Sequence, residues 1–168
     1  MELVKTKLDG VYIVEPKVYG DNRGWFMETY SEKAFKDAGI DVTFVQDNHS
    51  YSAQKGVLRG LHFQLNPMSQ AKLLRVLRGT LLDVVVDIRK GSPTYGQWIS
   101  VELSADNKKE IFMPRGMAHG FVTLTDDVEV HYKVDNLYAP KLESGIIYND
   151  PDLKVDWGTD KVILSAKD

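Results

Sequence analysis

From about residue 57 onward, short apolar runs recur along the sequence with turn-forming residues between them. KLLRVL is followed by Arg-Gly-Thr, LLDVVVDI by Arg-Lys-Gly-Ser-Pro, QWISVEL by Ser-Ala-Asp-Asn and KEIFMP by Arg-Gly, and then come GFVTLT and VEVHYKV. Short strands at this spacing, with no long segment of helical period between them, are typical of an all-β sandwich or barrel. The sequence therefore predicts an all-β fold of jelly-roll type.

The first part of the chain holds the one clear helix signal. In SEKAFKDAG, Ser31 is placed to cap the first turn and Gly39 to end the helix. The preceding segment, DGVYIVEPKVYGDNRGWFMETY, alternates well enough to supply further strands, which can pair with a second subunit. No repeat, linker or low-complexity tract is visible. We therefore expect one jelly-roll domain over residues 1–168, with a few short helices, in a homodimer.

Composition excludes several classes of protein. Hydrophobic residues make up 43% and charged residues 27% of the 168 residues, as in ordinary globular proteins. The longest apolar runs are broken by charges well short of a membrane span, and the start has no apolar leader, so we expect a cytoplasmic protein that binds no membrane. A net charge of −3 and a pI near 5.8 argue against nucleic-acid binding.

Several catalytic chemistries lack their residues. The chain has no cysteine, which excludes disulfides, thiolate metal sites and a cysteine nucleophile. It also has no Gly-rich phosphate loop, no Gly-x-Ser-x-Gly turn and no His-Glu-x-x-His motif. What remains is a scatter of histidine, tyrosine, lysine and arginine at positions where a β-core ordinarily carries aliphatic residues.

The run VLRGLHFQ carries an arginine and a histidine inside an otherwise apolar strand. Strict alternation places Leu58, Gly60, His62 and Gln64 on one face and Arg59 on the other. A buried, hydrogen-bonded core histidine is the structural interpretation of His62, and a catalytic group is the functional one. A bulge at Gly60 could redirect one side chain, so the relative facing of Arg59 and His62 stays open.

Three further polar residues occupy strand positions of interest. In VEVHYKV, alternation points Tyr132 inward with the valines, where a core tyrosine is the alternative to a functional one. In AKLLRVL, Lys72 shares its face with Leu74, so it either extends to solvent or aims a cation into the interior. His119 stands beside Gly120 after a Pro-x-Gly turn, which by itself is a weak signal.

Taken in order, the motifs cover almost the whole chain and closely resemble one family. They are EPKVYGDNRGWFMETY, FVQDNHS, VLRGLHFQ, KLLRVLRG, VVVDIRKGSPTYGQW, PRGMAHGFVTL, HYKVDNLYAP and LSAKD. The sequence resembles the dTDP-4-dehydrorhamnose 3,5-epimerases. The resemblance implies a cupin-like double-stranded β-helix, a homodimer without metal or organic cofactor, and an isomerase that inverts C3 and C5 of dTDP-4-dehydro-6-deoxy-D-glucose in dTDP-L-rhamnose biosynthesis.

The same resemblance implies roles for individual residues. His62 is the base, Tyr132 is the acid on the opposite side of the sugar, Asp168 orients His62, and Lys72 steadies the enolate and contacts substrate. The resemblance also assigns thymine stacking to Tyr138. It assigns the remaining substrate contacts to Arg23, Glu28, Gln46, Asp47, Asn48, Arg59, His119, Glu143 and Lys167.

Metal-binding cupins resemble this chain only in part. They use a His-x-His pair, a following glutamate and a later histidine, whereas this sequence has His62-Phe63-Gln64, then Met68 and Ser69, and only His119 in the second motif. Two imidazoles without a carboxylate form a poor site for a divalent metal. We therefore expect no metal site.

Three other functions stay open on the sequence. A relative that inverts only C3 or only C5, for another deoxysugar pathway, would use the same histidine and tyrosine. A non-catalytic sugar-binding cupin module belongs to a different class, and it is weakened because no DNA-binding helix pair or effector domain accompanies the barrel. A metal-dependent cupin oxygenase or isomerase is weakened by the missing ligands.

Overall fold

The apolar runs of the sequence form antiparallel strands in the computed structural model, which describes residues 1–168. The all-β prediction is confirmed. The strands are β1 Glu2–Lys5, β2 Tyr12–Glu15, β3 Val18–Asp21, β4 Gly24–Met27, β5 Gln46–Ser52, β6 Leu58–Gln64, β7 Lys72–Arg78, β8 Thr80–Asp87, β9 Trp98–Ser104, β10 Glu110–Met113, β11 Met117–Thr123, β12 Val128–Val134 and β13 Glu143–Gly145.

Two helical segments interrupt the strands. The α-helix α1 covers Glu32–Asp37, and Ser31 caps it because its side chain accepts a hydrogen bond from the backbone N–H of Ala34 at 3.2 Å. The predicted helix is therefore confirmed, and a 3₁₀ turn covers Pro140–Leu142. Neither segment has the length and apolar character that a membrane-spanning helix needs.

Two sheets face each other across the main core. One has six strands in the order β1-β2-β10-β7-β12-β5, and the other has five in the order β13-β6-β11-β8-β9. Thirteen buried residues from both sheets and the first loop fill the space between them. This arrangement is the jelly roll that the strand spacing predicted.

Each sheet is also covered on its outer face, which is why several strands are apolar on both sides. Phe35 of α1 packs with Leu73 and Phe112 on the six-stranded sheet. Trp157, from the chain after β13, packs with Leu58 and Leu61 on the five-stranded sheet. The C-terminal segment is thereby held beside β6, which carries the two residues of greatest interest.

The strands β3 and β4 pair only with each other. Their aromatic side chains project into solvent, with Trp25 59% and Phe26 71% exposed. A single protomer gives these rings no core to pack against, and burial of such rings normally contributes strongly to stability. The expectation that this hairpin pairs with a second subunit stays a prediction.

The prediction that successive side chains of β6 alternate strictly between its two faces is wrong. Leu58 and Leu61 both pack on the outer face, whereas Arg59 and His62 both face the interior. In the pairing of β6 with β11, His62 lies opposite His119 but Arg59 opposite Phe121, so β6 carries one extra residue at this point.

Gly60 makes the bulge in β6 possible. Its φ of 123° favours glycine, and a Cβ there would lie 2.6 Å from the Cα of Gly120 on the neighbouring strand. A pair of facing glycines thus allows close approach of two backbones. The consequence is that an arginine and a histidine separated by two residues point into the same space.

Candidate active site

A cavity of about 320 Å³ opens between the two sheets. It is lined from both sheets, from the chain around Tyr138 and from the C-terminal segment. The residues predicted from the sequence that line it are Arg59, His62, Lys72, His119, Tyr132, Tyr138, Glu143, Lys167 and Asp168.

His62 and Asp168 form the closest imidazole–carboxylate pair in the cavity. Nε2 of His62 lies 2.5 Å from Oδ1 of Asp168. Asp168 is held in place because its carboxylate also accepts hydrogen bonds from the Ser165 hydroxyl at 2.8 Å and from the Gly60 N–H at 3.4 Å. Its side chain is only 3% exposed, although it is the final residue of the sequence.

Burial lowers the pKa of His62 below its usual value, and the Asp168 carboxylate opposes part of this shift. Hydrogen bonding and the charge of His62 outweigh burial at Asp168, so the pKa of that carboxyl is also lowered. At neutral pH the pair is therefore a neutral imidazole beside a carboxylate. This is the protonation state that a general base requires.

Asp168→Asn should move the acid limb of the pH–rate profile to lower pH. Without the carboxylate, burial loses its main opposing contribution and the pKa of His62 falls further. The maximal rate should also fall at least tenfold, since a carboxylate that orients an imidazole contributes up to ~10⁴-fold in serine proteases. Deuterium uptake into substrate between pH 5 and 9 measures both effects. Asp160→Asn, at an exposed position, is the control, and an unshifted limb for Asp168→Asn would contradict the orienting role.

Tyr132 and Lys72 occupy the wall opposite His62. They belong to β12 and β7 of the six-stranded sheet, whereas His62 belongs to the five-stranded one. Burial raises the pKa of the Tyr132 phenol, and burial lowers the pKa of Lys72 to about 8. Lys72 Nζ lies 5.8 Å from the centre of the Tyr132 ring. The predicted inward direction of Tyr132 is confirmed, since the tyrosine packs against the main core.

Asp83 completes a second imidazole–carboxylate pair that sequence reasoning missed. Its Oδ2 lies 2.7 Å from Nε2 of His119, and both side chains are almost fully buried. Burial raises the pKa of Asp83, while His119 and Lys72 act in the opposite direction. The available signal was a carboxylate in the middle of the aliphatic run LLDVVVDI, which also carries Asp87 near its end. Buried carboxylates are rare unless they are paired.

Cationic and aromatic groups surround the cavity mouth. The Tyr138 hydroxyl donates to Glu143 Oε2 at 3.0 Å, and Lys167 Nζ donates to Glu143 Oε1 at 3.0 Å. Arg59 is fixed by hydrogen bonds to the Ser52 hydroxyl and the Tyr51 carbonyl. Tyr138 is 56% exposed, so its ring is available for stacking.

Two predicted binding residues on β5 lie next to this mouth. Gln46 donates to the side-chain oxygen of Asn48 at 2.9 Å and accepts from the Tyr138 N–H at 3.3 Å. Asn48 is paired in register with Tyr132, and its hydrogen bond to the phenol favours the ionised form. Both amides share the face of β5 that carries Ser50, which lines the cavity.

The structure does not bring Arg23, Glu28 and Asp47 to the cavity of the same protomer. Asp47 points to the other face of its sheet, where it binds Lys133 at 3.1 Å, because neighbours along a strand alternate. Arg23 lies in the turn of the exposed hairpin, with its side chain 86% exposed and paired with Asp21. Glu28 follows the hairpin and is also exposed.

Other lining residues carried no signal in the sequence. Gln64 is the most connected, since its amide donates to the Met68 and Leu137 carbonyls and accepts from the Ala139 N–H. It therefore binds two loops to β6 and is not free to ligate. The further lining residues are Ser50, Phe63, Gln70, Leu74, Phe121 and Ser165.

No group of three or more histidine, cysteine, aspartate and glutamate side chains in the chain is arranged to hold a metal ion. The two imidazoles of the cavity each have a carboxylate partner on Nε2, and Lys72 brings a positive charge. The donor set of this cavity does not fit a divalent cation.

The fold and the cavity define a class of protein: a cupin-like jelly roll whose cavity holds two imidazole–carboxylate pairs, with both imidazoles on one sheet, and a tyrosine and a lysine on the other sheet. The chain belongs to the dTDP-4-dehydrorhamnose 3,5-epimerase family, whose profile matches residues 5–168. As a member of that family it is an isomerase.

Known proteins resemble the chain over almost its whole length. The dTDP-4-dehydrorhamnose 3,5-epimerase of Methanothermobacter thermautotrophicus is 52% identical over 168 residues, which cover 98% of this chain and 90% of that protein. The Bacillus anthracis enzyme with TDP and PPi bound is 45% identical, with a TM-score of 0.95 and coverage of 98% and 94%. The Legionella pneumophila enzyme in complex with dTDP-4-keto-L-rhamnose is 48% identical, with a TM-score of 0.94 and coverage of 99% and 88%.

Proposed function

We propose that the chain inverts C3 and C5 of dTDP-4-dehydro-6-deoxy-D-glucose to give dTDP-4-dehydro-L-rhamnose. The observation that carries this function is the placement of His62 and Tyr132 on facing sheets across one cavity. A sugar ring between them meets a base on one face and an acid on the other. Removing a proton from one face and returning one to the other is inversion.

The substrate's own chemistry makes these few groups sufficient. Its ketone at C4 lies next to both C3 and C5, so either carbon can lose a proton and leave the electron pair in an enolate. No redox cofactor is needed. The enzyme has to supply a base, an acid and a positive charge near the enolate oxygen.

The roles follow from the surroundings of each side chain. His62 is the base, since burial keeps its imidazole neutral and Asp168 orients it. Tyr132 is the acid, since burial keeps its phenol protonated. Lys72 supplies the positive charge within the cavity, where a fixed cation acts more strongly than in water.

Binding of the nucleotide uses the groups at the mouth. Arg59 and Lys167 are the cations available to the diphosphate, and the exposed ring of Tyr138 is available to stack on thymine. The Gln46 and Asn48 amides are available to hydrogen-bond the base. In this proposal, the sugar is contacted by Glu143 and by His119, which Asp83 holds in place.

The working unit in this proposal is a homodimer of single jelly-roll domains spanning residues 1–168. The exposed hairpin of β3 and β4 supports a homodimer, because a partner subunit would bury Trp25 and Phe26. In such a dimer, Arg23 of one subunit would lie near the cavity of the other. A dianionic nucleotide diphosphate does not cross membranes unaided, which supports a cytoplasmic location.

The purified protein should sediment at twice the monomer mass of 19.0 kDa. Phe26→Asp, which places a charge where the 71%-exposed ring stands, should shift the mass toward that of the monomer and reduce activity. Ile147→Asp, at a similarly exposed apolar side chain outside the hairpin, is the matched control. A fully active monomer would contradict the dimer.

The function is tested by incubating the protein with dTDP-4-dehydro-6-deoxyglucose in D₂O and following the product by NMR. Deuterium at both C3 and C5, with both configurations inverted, is the expected result. Exchange at one carbon alone would identify a single-position epimerase. Binding of dTDP without exchange would identify a sugar-binding module.

Activity should survive exhaustive chelation. The donor set of the cavity is unsuited to a divalent ion, and the proposed roles require none. Rates of deuterium uptake before and after treatment with EDTA, followed by metal analysis, measure this directly. A stoichiometric metal whose removal abolishes turnover, and whose return restores it, would overturn the proposed mechanism.

A further inference from the structure

Further empty space lies on the other side of Lys72 from the active-site cavity. A second, small cavity of about 20 Å³ adjoins it and shares Gln64, Gln70 and Lys72 with its lining. Beyond this lies a surface depression, which shares Ser69, Ile88 and Gly116 with the small cavity. The three spaces therefore follow one another from the substrate side to the surface, and we call the small cavity with this depression the rear passage.

The small cavity is suited to a water molecule. A single water needs ~10–15 Å³ and two to four polar partners. Lys72 Nζ, Gln70 Oε1 and the Ser69 hydroxyl are the lining groups that make no hydrogen bond within the protein, whereas the Gln64 amide is fully used. The surface depression brings Lys90 and Tyr95 to the solvent end.

The proposed reaction creates a need for such a route. Each inversion consumes the proton of the acid, and two inversions occur on one bound sugar. During this time the nucleotide occupies the mouth, where Arg59, Tyr138 and Lys167 lie. Tyr132 then has to regain its proton by a route other than the cavity mouth.

We propose that the rear passage carries protons from solvent to Lys72, which restores the proton of Tyr132 between the two inversions. Ser69 and Gln70 act as positioning residues that hold the water behind the ammonium. This inference rests on the proposed function. It concerns a second route into the same cavity.

The proton balance closes at each step. Tyr132 gives its proton to the enolate carbon, the O–H electron pair stays on oxygen, and a phenolate remains. The Lys72 ammonium gives a proton to that phenolate through an intervening water. The water held by Ser69 and Gln70 then gives one proton to the amine and takes one from solvent, so that it remains a water molecule. The proton removed by His62 leaves to solvent, so one proton enters for each that departs.

The acidities agree with this direction of transfer. Burial lowers the pKa of Lys72 to about 8, whereas the pKa of Tyr132 is raised above its ordinary value near 10. Transfer from the ammonium to the phenolate is therefore downhill. A pKa of about 8 still lies above neutral pH, so the amine is mostly protonated again once a solvent proton reaches it.

The test closes the passage without touching the active-site cavity. Ser69→Leu fills the small cavity and removes a hydroxyl, and Ile88→Phe fills it from another wall if the first variant is unstable. Ser100→Leu, the same change at an exposed serine of β9 that lines neither part of the passage, is the matched control. Single-turnover NMR with the proposed substrate separates singly from doubly inverted sugar, and dTDP affinity checks the front of the cavity.

The filled variants should keep the rate of the first inversion and slow the second by about 10²-fold, the lower end of what a positioned acid contributes. Singly inverted sugar should accumulate. Equal slowing of both inversions, or no slowing of either, would overturn the proposal. A wild-type protein that exchanges neither carbon would instead contradict the proposed function.

Discussion

His62→Asn should lower the rate of deuterium uptake at C3 and C5 by about 10⁴-fold or more. Asparagine keeps the approximate size and a hydrogen-bonding edge but cannot accept the substrate proton. General acid–base groups contribute ~10²–10⁴-fold, and the upper end applies because this reaction contains almost no chemistry besides proton transfer. Affinity for dTDP should barely change, since the predicted nucleotide contacts lie at the mouth.

A purely structural role for His62 makes the opposite forecast. Replacing a half-buried core histidine should lower the free energy of unfolding by a few kcal/mol at most, while the remaining folded protein turns over normally. Melting temperature, dTDP affinity and deuterium uptake on one preparation separate the two cases. His49→Asn, at an exposed histidine paired with Glu129, is the matched control. A His62→Asn protein that takes up deuterium at C3 and C5 at the wild-type rate would contradict the catalytic role.

Tyr132→Phe should slow net inversion by ~10²–10⁴-fold and should slow deuterium exchange less than inversion. The change removes only the phenolic hydroxyl, so the ring keeps its packing against the main core. His62 can still remove a proton and return a solvent deuteron to the same face, which gives exchange with retained configuration. NMR of the recovered sugar nucleotide in D₂O reports exchange and configuration together.

Tyr12→Phe is the matched control for Tyr132→Phe. Tyr12 is a partly buried tyrosine on the outer face of the six-stranded sheet, remote from the cavity. Its loss should leave both exchange and inversion unchanged. If Tyr132→Phe instead reduced exchange and inversion equally and dTDP affinity collapsed, Tyr132 would be a binding or core residue.

The contacts that hold Asp168 beside His62 could be predicted from the sequence only in part. The resemblance assigned it to His62, but the carboxylate is held there by Ser165, by the Gly60 N–H and by a C-terminal segment anchored through Trp157. The contact with Gly60 joins residues that are 108 positions apart in the sequence. A pattern in one short segment contains no information about such a contact.

The exposed hairpin marks another limit. The alternation in DGVYIVEPKVYGDNRGWFMETY predicted strands, and β3 and β4 form. Arg23 and Glu28 nevertheless lie outside the cavity of their own protomer. Residue type and motif order predict a contact with the ligand, but they do not say which copy of the chain makes it.

The sequence by itself determined the strand content, the jelly-roll class, the capped helix and the inward direction of Tyr132. These features depend on hydrophobic periodicity and on neighbours within a few residues, which a single chain displays directly. Only the tertiary structure decided that Arg59 and His62 share one space, because this depends on a bulge where Gly60 meets Gly120. It alone paired Asp83 with His119 and opened the rear passage behind Lys72, since both arise where separate strands pack against each other.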